Sequence, residues 1–373
     1  MDILQEILNA LRIEESVMLA TIISTNGSTP ASALSKMLVK DGGTKWIGTI
    51  GGGCVEGDVL QEAIRLYNDA AVSKILRFEL NETNIDQGLI CGGNLDVMIE
   101  PLARKDIEWL ERVKAVRDEG EDCVVATLVS TAGTVAGKHC IELGAGWNDG
   151  LMEWWNRVGN KTGLTSNVLE AAVQKTHRRN ETERLKIGDG ELILEPVQGM
   201  PSVIIFGGGH VSKYVSRSAA MTGFRVTVVD DRPEYANAQR FPEAFRTMAM
   251  DFGEALDTIE VKPSTYIVIV TRGHRSDEDI LSRVVSSPAK YIGMIGSHRK
   301  VLTTYEHLAE GGVSPDLLKR VHAPIGIDIG ASTAEEIGIS VVAQLIAVRR
   351  GEAAKQKNKS DAIEKSIVTK SSS

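Results

Sequence analysis

The chain has 373 residues, which is enough for two domains that each bury a core of their own. Its formal net charge of -8 argues against a dedicated nucleic-acid-binding protein, and no apolar run is long enough to span a bilayer. The four cysteines form no C-x-x-C pair, so they predict neither a disulfide framework nor a zinc module. The first eleven residues predict an amphipathic helix with acidic residues, which is not the pattern of a signal peptide. We therefore expect a cytoplasmic protein that binds neither nucleic acid nor a membrane.

The N-terminal half of the chain combines short helices with short apolar strands. In chain order, the sequence predicts a helix at 2–12, strands at 16–24, 37–40 and 46–50, a glycine-led helix after 51, a strand at 95–102, a helix at 106–118, a strand at 122–130, helical stretches at 152–155 and 168–174, and a strand at 190–197. The strands at 95–102 and 190–197 both close on Glu-Pro, and we interpret them as equivalent strands of one sheet. This pattern predicts an α+β domain over residues 1–198.

A glycine triplet ahead of the helix after residue 51 carries the first candidate site. Cys54 follows the triplet and Glu56 lies in the first helical turn, where the helix dipole favours a thiolate and also accommodates an acid. One interpretation is a nucleophilic or metal-ligating sulfur beside an acid; the other is a small buried cysteine and a helix-capping glutamate. Cys91 enters a second glycine turn. Two glycine-flanked thiols of one domain could face a common pocket, but their spacing alone does not define a metal site.

The region that begins at residue 203 has the pattern of a dinucleotide-binding unit. An apolar run at 203–206 ends in three glycines, an amphipathic helix follows, and a second apolar run at 226–229 ends in Asp230. Continuous apolar runs are typical of parallel strands that are buried on both faces. Strand, tight turn, helix, strand and acid together form the first half of a nucleotide-binding fold.

The residues of this glycine turn have expected functions. We expect Gly207 to supply the backbone angles of the turn, and Gly209 to let a phosphate reach the main chain at the helix N-terminus. His210 is placed to contact a ligand directly, and Asp230 lies where a ribose hydroxyl would be bound. Ser212 replaces the third glycine of G-x-G-x-x-G, which predicts slightly relaxed packing of helix against strand. The alternative is that the glycines only make a tight turn and bind nothing.

Strands and helices continue to alternate after this unit. Further strands are predicted at 245–250, 266–270 and 291–295 and near 321, and a last helix at 332–349 begins with an S-T-A-E capping pattern. The pattern predicts a Rossmann-like α/β domain over residues 202–348. The tail at 349–373 is rich in Lys and Ser without apolar periodicity, so we expect it to be disordered.

Polar clusters follow successive predicted strands at their carboxyl ends, which is where an open parallel sheet binds its ligand. These clusters are Gly207 to His210, then Thr271, Arg272 and His274, then Gly296, Ser297, Arg299 and Lys300, and finally Gly326, Asp328 and Gly330. Ser297 is expected to cap a helix that begins near His298 and to place Arg299 and Lys300 close to a bound phosphate.

These motifs, in this order, resemble the XdhC/CoxI family of accessory proteins, which handle molybdenum cofactor for xanthine dehydrogenase and related molybdenum hydroxylases. The matching segments are G-S-T-P, G-T-I-G-G-G-C-V-E-G, G-L-I-C-G-G, I-F-G-G-G-H-V, V-D-D-R-P-E, T-R-G-H-x-x-D, G-M-I-G-S-x-R-K and P-I-G-I-D-I-G-A. They run from Gly27 to Ser340, nearly the whole chain. The sequence departs from the family pattern at Ala31, where an arginine is usual, and in an insert around 144–184.

The resemblance implies a two-domain protein that binds a molybdopterin-type cofactor, in the pterin or the cytosine dinucleotide form. Such a protein protects the cofactor while a cysteine desulfurase installs the terminal sulfur, and then delivers it to the apo-hydroxylase; we also expect a homodimer. Soft thiolates suit a molybdenum–sulfur centre, so Cys54 and Cys91 are the expected metal ligands, with Glu56 beside them. The residues expected at the phosphate or nucleotide end are Gly207, Gly209, His210, Asp230, Arg272, His274, Ser297 and Arg299.

Two other functions are open at this stage. The first is an NAD(P)-binding oxidoreductase or a subunit of a xanthine dehydrogenase complex. The sequence has no cysteine cluster for an iron–sulfur centre and no flavin-binding segment, so purine oxidation by this chain alone is not expected. Asp230 followed by Arg232 leaves NAD and NADP equally open. The second is an interaction module that contacts the hydroxylase and binds no cofactor.

Overall fold

The structure is a computed structural model, and it describes residues 2–27, 29, 31–68, 73–79, 93–130, 135–143, 147–158 and 165–351. The chain divides into two compact units, an N-terminal unit (Met1–Gly199) and a C-terminal unit (Met200–Ser373). The first is built on antiparallel sheets and the second on a parallel sheet, so the expected α+β and Rossmann-like α/β folds are both confirmed. Cys91, parts of the insert and the tail from 352 lie outside the described residues. No helix in the described ranges is long and apolar enough to cross a membrane.

The N-terminal unit contains two antiparallel sheets. Its elements are α1 (Ile3–Ile13), β1 (Ser16–Asn26), β2 (Lys36–Lys40), β3 (Lys45–Gly48), α2 (Gly53–Asn68), β4 (Lys74–Glu79), β5 (Asn94–Ala103), α3 (Ile107–Asp118), β6 (Cys123–Val129), β7 (Val135–Glu142), α4 (Trp147–Val158), α5 (Ser166–Arg179), β8 (Glu183–Ile187) and β9 (Gly190–Val197). The strand order is β3-β2-β1-β5-β4 in one sheet and β7-β6-β9-β8 in the other. Helices α1 and α3 pack on each other, and α2 covers the outer face of the first sheet.

The prediction that the two Glu-Pro strands share a sheet is wrong. β5 pairs with β1 and β9 pairs with β6, so each strand belongs to a different sheet. The registers are nevertheless the same, because Met18 lies opposite Pro101 and Val124 lies opposite Pro196. The repeated Glu-Pro therefore marks equivalent strands in two similar halves of the unit. Strand periodicity shows which face of a strand is buried, but not which strand lies beside it.

The two halves are copies of one arrangement of helices and strands. Each half reads helix, strand, strand, helix, strand, strand; the first adds β3 and the second adds α4. The segment A-T-I-I-S-T-N-G at 20–27 recurs as A-T-L-V-S-T-A-G at 126–133. Thr21 lies opposite Lys36 in the first half, and Thr127 lies opposite Lys138 in the second. Sequence, strand order and register all indicate an internal duplication.

The halves contact each other through the same ion pair made twice. Lys36 of β2 binds Glu195 of β9 at 2.6 Å, and Lys138 of β7 binds Glu100 of β5 at 2.7 Å. The two lysines hold equivalent positions, and so do the two glutamates. In each half, therefore, a lysine of the second strand donates a hydrogen bond to a glutamate in the last strand of the other half. This reciprocity is what an approximate two-fold relation between the halves requires.

The C-terminal unit is a six-stranded parallel sheet between helices. Its elements are β10 (Ser202–Phe206), α6 (His210–Met221), β11 (Arg225–Asp230), β12 (Arg246–Ala249), α7 (Phe252–Thr258), β13 (Thr265–Ile269), α8 (His274–Val284), β14 (Tyr291–Met294), α9 (His298–Glu310), α10 (Pro315–Leu318), β15 (Val321–His322) and α11 (Ala334–Arg349). The strand order β12-β11-β10-β13-β14-β15 is that of dinucleotide-binding sheets. Side chains of successive strand residues enter two apolar clusters, one on each face of the sheet.

Two helix caps in this unit were predicted from sequence. The prediction for α9 is confirmed, because the Ser297 side chain accepts a hydrogen bond from the Lys300 amide at 3.3 Å. The last helix begins one residue later than its S-T-A-E pattern suggests. Thr333 is the cap and forms a capping box with Glu336, whose carboxylate also accepts from the Ser332 amide.

Candidate functional site

The four predicted polar clusters lie at the carboxyl edge of the parallel sheet. They follow β10, β13, β14 and β15, which are hydrogen-bonded neighbours in that order. The order of the strands reverses between β10 and β13, which is the point where such sheets bind ligands. The helices after these two strands, α6 and α8, have Gly209 and Gly273 as their N-cap residues. Neither helix has a side-chain cap, so both present amide N–H groups to this crevice.

The three glycines after β10 differ in what they require. Gly207 has φ +107°, and a Cβ on it would lie 2.5 Å from the Val270 carbonyl oxygen. A Cβ on Gly208 would lie 2.1 Å from the Tyr235 carbonyl oxygen. A Cβ on Gly209 would meet nothing within 4 Å. The first two glycines let neighbouring chain segments approach, whereas the third leaves open space in front of the α6 N-terminus.

Ser212, which replaces the third glycine of the motif, makes a hydrogen bond within the glycine turn. Its side chain is fully buried, and its hydroxyl donates to the Gly207 carbonyl oxygen at 2.5 Å. The serine thus adds a hydrogen bond across the first turn of α6. The predicted relaxation of the packing of helix against strand stays a prediction.

Asp230 holds the glycine turn in place. It is 2% exposed, and its carboxylate accepts from the Gly208 amide at 2.7 Å and from the Arg232 side chain at 2.8 Å. Burial would raise the pKa of Asp230, but the hydrogen bonds from Arg232 and the Gly208 amide outweigh it and hold the pKa below the ordinary 3.8. Any ribose hydroxyl at this position would share the carboxylate with Arg232.

Arg240 is a residue of this turn that the sequence did not indicate. Its Nε donates to the Gly208 carbonyl oxygen at 2.8 Å. Its guanidinium lies 5.0 Å from the ring centre of Tyr235, and that of Arg232 lies 3.6 Å from it. Two arginines thus pack on one tyrosine beside the glycine turn. Arg240 lies in an irregular segment between β11 and β12, where no periodicity or motif points to it.

Thr271 and Asp277 organise the next strand end. Asp277 is fully buried in the first turn of α8, and it accepts from the Thr271 hydroxyl at 2.6 Å and the Thr271 amide at 3.2 Å. Its other oxygen forms an ion pair with Lys300 of α9. Asp277 is the last residue of the T-R-G-H-x-x-D motif, so the motif could have indicated this residue as part of the site. The side chain joins the starts of two helices at this edge.

Five other predicted residues of the edge are exposed. His210, Arg272, His274, Ser297 and Arg299 all have solvent-accessible side chains. Arg272 reaches the Asp231 carboxylate at 3.3 Å and so bridges the ends of β13 and β11. The sheet brings these side chains to one edge; no described contact yet assigns a ligand atom to any of them.

The N-terminal unit gathers its own motifs at one end of the first sheet. β1 ends at Asn26 before the G-S-T-P segment, β3 ends at Gly48 before the glycine triplet, and β5 begins at Asn94. The antiparallel pairing places these three points at the same end. The chain leaves β4 and enters β5 at this end as well. Cys91, the second predicted thiol, lies between those strands and outside the described residues.

Cys54 and Glu56 differ in environment at this end. Cys54 is exposed, so the interpretation as a small buried cysteine is wrong. Glu56 accepts from the Thr49 hydroxyl at 2.5 Å and from the Ile50 and Gly52 amides at 3.1 Å, which orders the glycine loop. Burial would raise the pKa of Glu56, but these hydrogen bonds outweigh it and hold the pKa below 4.5. The described residues contain no group of three or more His, Cys, Asp or Glu side chains placed to hold a metal ion.

Two family models match this chain. The XdhC Rossmann domain model matches residues 203–345, and the XdhC and CoxI family model matches residues 10–79. The chain therefore belongs to the XdhC/CoxI family, as the motifs indicated. The first match covers the parallel-sheet domain, and the second covers the Cys54 loop.

Known proteins resemble the chain over nearly its full length. A Bacillus subtilis protein whose name describes it as a probable subunit of xanthine dehydrogenase is 27% identical over 91% of this chain and 95% of its own. The Escherichia coli molybdenum cofactor insertion chaperone PaoD is 21% identical over 93% of this chain and 88% of its own. A crystal structure described as a xanthine dehydrogenase from Bacillus halodurans has 23% identity and a TM-score of 0.73, covering 97% of this chain and 100% of that one. This last similarity shows the fold.

Proposed function

We propose that the protein binds a molybdenum cofactor and acts as an accessory protein in the maturation of a xanthine dehydrogenase-type molybdenum hydroxylase. The observation that carries this proposal is the pair of uncapped helix N-termini, at Gly209 and Gly273, on either side of the strand-order reversal. The cofactor is an organic phosphate, and helix N-termini bind phosphate through free amides and the helix dipole. Family membership and the named function of PaoD support the choice of ligand.

The phosphate end of the ligand is assigned to the edge of the parallel sheet. The open space at Gly209 allows a phosphate to reach the α6 amides without meeting a side chain. Arg272 and Arg299 are exposed at neighbouring strand ends, where their charge attracts an anion. His210 follows Gly209 directly and is also exposed. We infer that these residues bind and orient the phosphate or nucleotide part.

The Cys54 loop of the N-terminal unit is proposed, independently of the sheet edge, to contact the metal of the cofactor. A Cβ on Gly52, Gly53 or Gly57 would meet nothing within 4 Å, so the backbone around the exposed Cys54 is open to a large ligand. Thiolate is a ligand type suited to molybdenum–sulfur chemistry, which the bound cofactor would supply. We propose Cys54 as one thiol contact, and Cys91 as the second. Sulfur installation by a cysteine desulfurase and transfer to the apo-hydroxylase complete the proposed cycle.

An isosteric pair of variants tests the phosphate assignment. Gly209→Asp and Gly209→Asn both fit the open space and both cap α6, but only Asp adds a negative charge where the phosphate is proposed to bind. The full chain is purified from molybdate-fed cells, and its bound pterin is oxidised and quantified by fluorescence. We expect the Asp variant to retain at least tenfold less pterin than the Asn variant. Equal retention by the two variants would remove this edge from the site.

A matched substitution tests the thiol assignment. Cys54→Ser keeps the size and exposure of the side chain but removes the soft ligand, and Cys123→Ser serves as the control because Cys123 is buried in the core. We expect Cys54→Ser to retain less molybdenum per pterin, as measured by mass spectrometry of the metal. An unchanged ratio would show that Cys54 does not contact the metal.

An NAD(P)-binding oxidoreductase is the second candidate function. The strand order and the acid at the end of β11 favour it. The present contacts of Asp230 with Gly208 and Arg232 disfavour it, since they occupy the carboxylate that would bind the ribose. Titration of the full chain with NADH, followed by nicotinamide fluorescence, separates the candidates. Tight NADH binding with no pterin retention would favour the oxidoreductase.

A further inference from the structure

A cleft of about 670 Å³ opens between the two halves of the N-terminal unit, away from the Cys54 loop. The first half contributes the end of α2, strand β4 and Met98, and the second half contributes the β8–β9 hairpin. The volume is in the range of pockets that hold a small organic molecule. Its basic lining residues are Arg65, Lys74, Arg77 and Lys186.

A partly buried arginine binds two acids at this cleft, Glu191 of its lining and Asp96 beside it. Arg184 is 18% exposed, and it binds Glu191 through two hydrogen bonds of 2.7 and 2.9 Å and Asp96 through a third. These acids lie opposite the cleft's own cations, Asp96 across from Arg77 and Glu191 across from Lys186. Because Arg184 engages both carboxylates, Arg77 keeps only a 3.9 Å contact with Asp96. Lys186 makes no ion pair with any described residue.

The other end of the cleft also carries two cations. Arg65 and Lys74 both contact the Glu62 carboxylate, at 2.7 and 2.8 Å. Among the described lining residues, the acids are Asp189, at the exposed hairpin turn, and Glu191, which Arg184 binds. The described lining residues therefore include four basic and two acidic side chains, on a chain whose formal net charge is -8. Such an excess of basic side chains favours anions over cations.

The internal duplication explains why two cations face each other here. Met98 and Ile193 lie opposite the equivalent threonines of the two halves and share one apolar cluster. Asp96 and Glu191, two residues before Met98 and Ile193, are therefore equivalent as well. Arg77 lies opposite Asp96 and Lys186 lies opposite Glu191, so these two cations also hold equivalent positions. The approximate two-fold relation thus sets one cation from each half on the two sides of the cleft. A ligand with negative charges at both ends would satisfy both.

We propose that this cleft is a second ligand site, which binds a small phosphate-bearing molecule with at least two negative charges. Arg77 and Lys186 clamp it from the two halves, and Arg65 and Lys74 line the end towards α2. The site lies within the N-terminal unit, and the proposal does not depend on the cofactor assigned to the Gly209 edge.

Pyrophosphate is the probe for this site, and the full chain is titrated by calorimetry at low ionic strength. The Gly209→Asp background removes anion binding at the sheet edge, so the heat that remains comes from the cleft. We expect one pyrophosphate per chain to bind in that background, and we expect Arg77→Gln with Lys186→Gln to weaken it at least tenfold. Lys175→Gln is the matched control, because Lys175 is a partly exposed lysine of the same unit that does not line the cleft.

Two outcomes would overturn the proposal. One is the absence of binding in the Gly209→Asp background, and the other is equal affinity in the double variant and the Lys175→Gln control. The variants are expected to fold, because the Arg77 side chain is 76% exposed and Lys186 is also exposed. Circular dichroism of each variant verifies this before titration.

Discussion

Lys300 of α9 forms an ion pair with Asp277 of α8, a carboxylate that is completely buried at the carboxyl edge of the sheet. The pair fixes the first turns of two helices that follow neighbouring strands. Thr271, at the end of β13, donates to the same carboxylate. One buried acid therefore sets the spacing of three segments that carry predicted ligand contacts.

Removing the lysine of this pair should be costly. Lys300→Met leaves the buried Asp277 carboxylate without its cation, and breaking such a pair costs about 3–5 kcal/mol. Adding Asp277→Asn should recover part of the loss, because a neutral amide can still accept from Thr271. Urea unfolding followed by circular dichroism measures both. Lys319→Met, which removes an exposed pair with Asp316, is the control and should cost under about 1 kcal/mol. Equal losses at positions 300 and 319 would contradict this prediction.

The two reciprocal ion pairs of the N-terminal unit should differ in strength. The Lys138–Glu100 side chains are 9% and 6% exposed, whereas those of Lys36–Glu195 are both 18% exposed. The less exposed pair is screened less by water, so Lys138→Met should destabilise the unit more than Lys36→Met. All five tryptophans lie in this unit, so urea unfolding followed by tryptophan fluorescence reports on it. A larger loss of stability for Lys36→Met would mean that burial does not determine which of the two ion pairs contributes more.

Substitution by alanine should reduce stability much more at Gly207 than at Gly209. Gly207→Ala forces a side chain into φ +107° and against the Val270 carbonyl oxygen, which should cost at least about 1–3 kcal/mol. Gly209→Ala occupies open space at φ -70°, so stability should change by less than about 1 kcal/mol. Thermal unfolding of the two variants compares them directly. Similar melting temperatures would show that the turn is not held as described.

Asp230 should make stability depend on acidity. Its pKa is lower in the folded chain than the ordinary 3.8, so its contribution is complete above that value and is lost as the pH falls through the folded pKa. Wild type should therefore lose more stability between pH 6 and pH 3 than Asp230→Asn does. Urea titrations at both pH values measure the difference. A parallel loss in the two proteins would assign the acid sensitivity to other groups.

The described cysteines should differ in reactivity with iodoacetamide. Cys54 is exposed and Cys123 is 1% exposed, so native protein should be alkylated first at Cys54. Peptide mass spectrometry after brief labelling identifies the modified position, and Cys54→Ser verifies the assignment. Alkylation of Cys123 at the same rate in native protein would show that this part of the core opens readily.

Local features of the fold could be predicted because neighbouring residues determine them. The apolar runs before Gly207 and Asp230 are long enough only for buried strands, and the cap at Ser297 depends on residues within three positions of it. The prediction that β5 and β9 share a sheet failed for the opposite reason. Two strands with the same pattern fit equally well into one sheet or into two copies of a sheet.

The sequence by itself determined the motifs, the strand and helix periods, and the family, since these depend on residue types in chain order. Only the tertiary structure decided which distant groups meet. Asp277 and Lys300 are 23 residues apart, Gly208 and Arg240 are 32 apart, and Lys36 and Glu195 are 159 apart. The sequence around a charged residue looks the same whether its side chain contacts water or a residue far away in the chain. Its partner is settled only when sheets and helices pack and remove it from solvent.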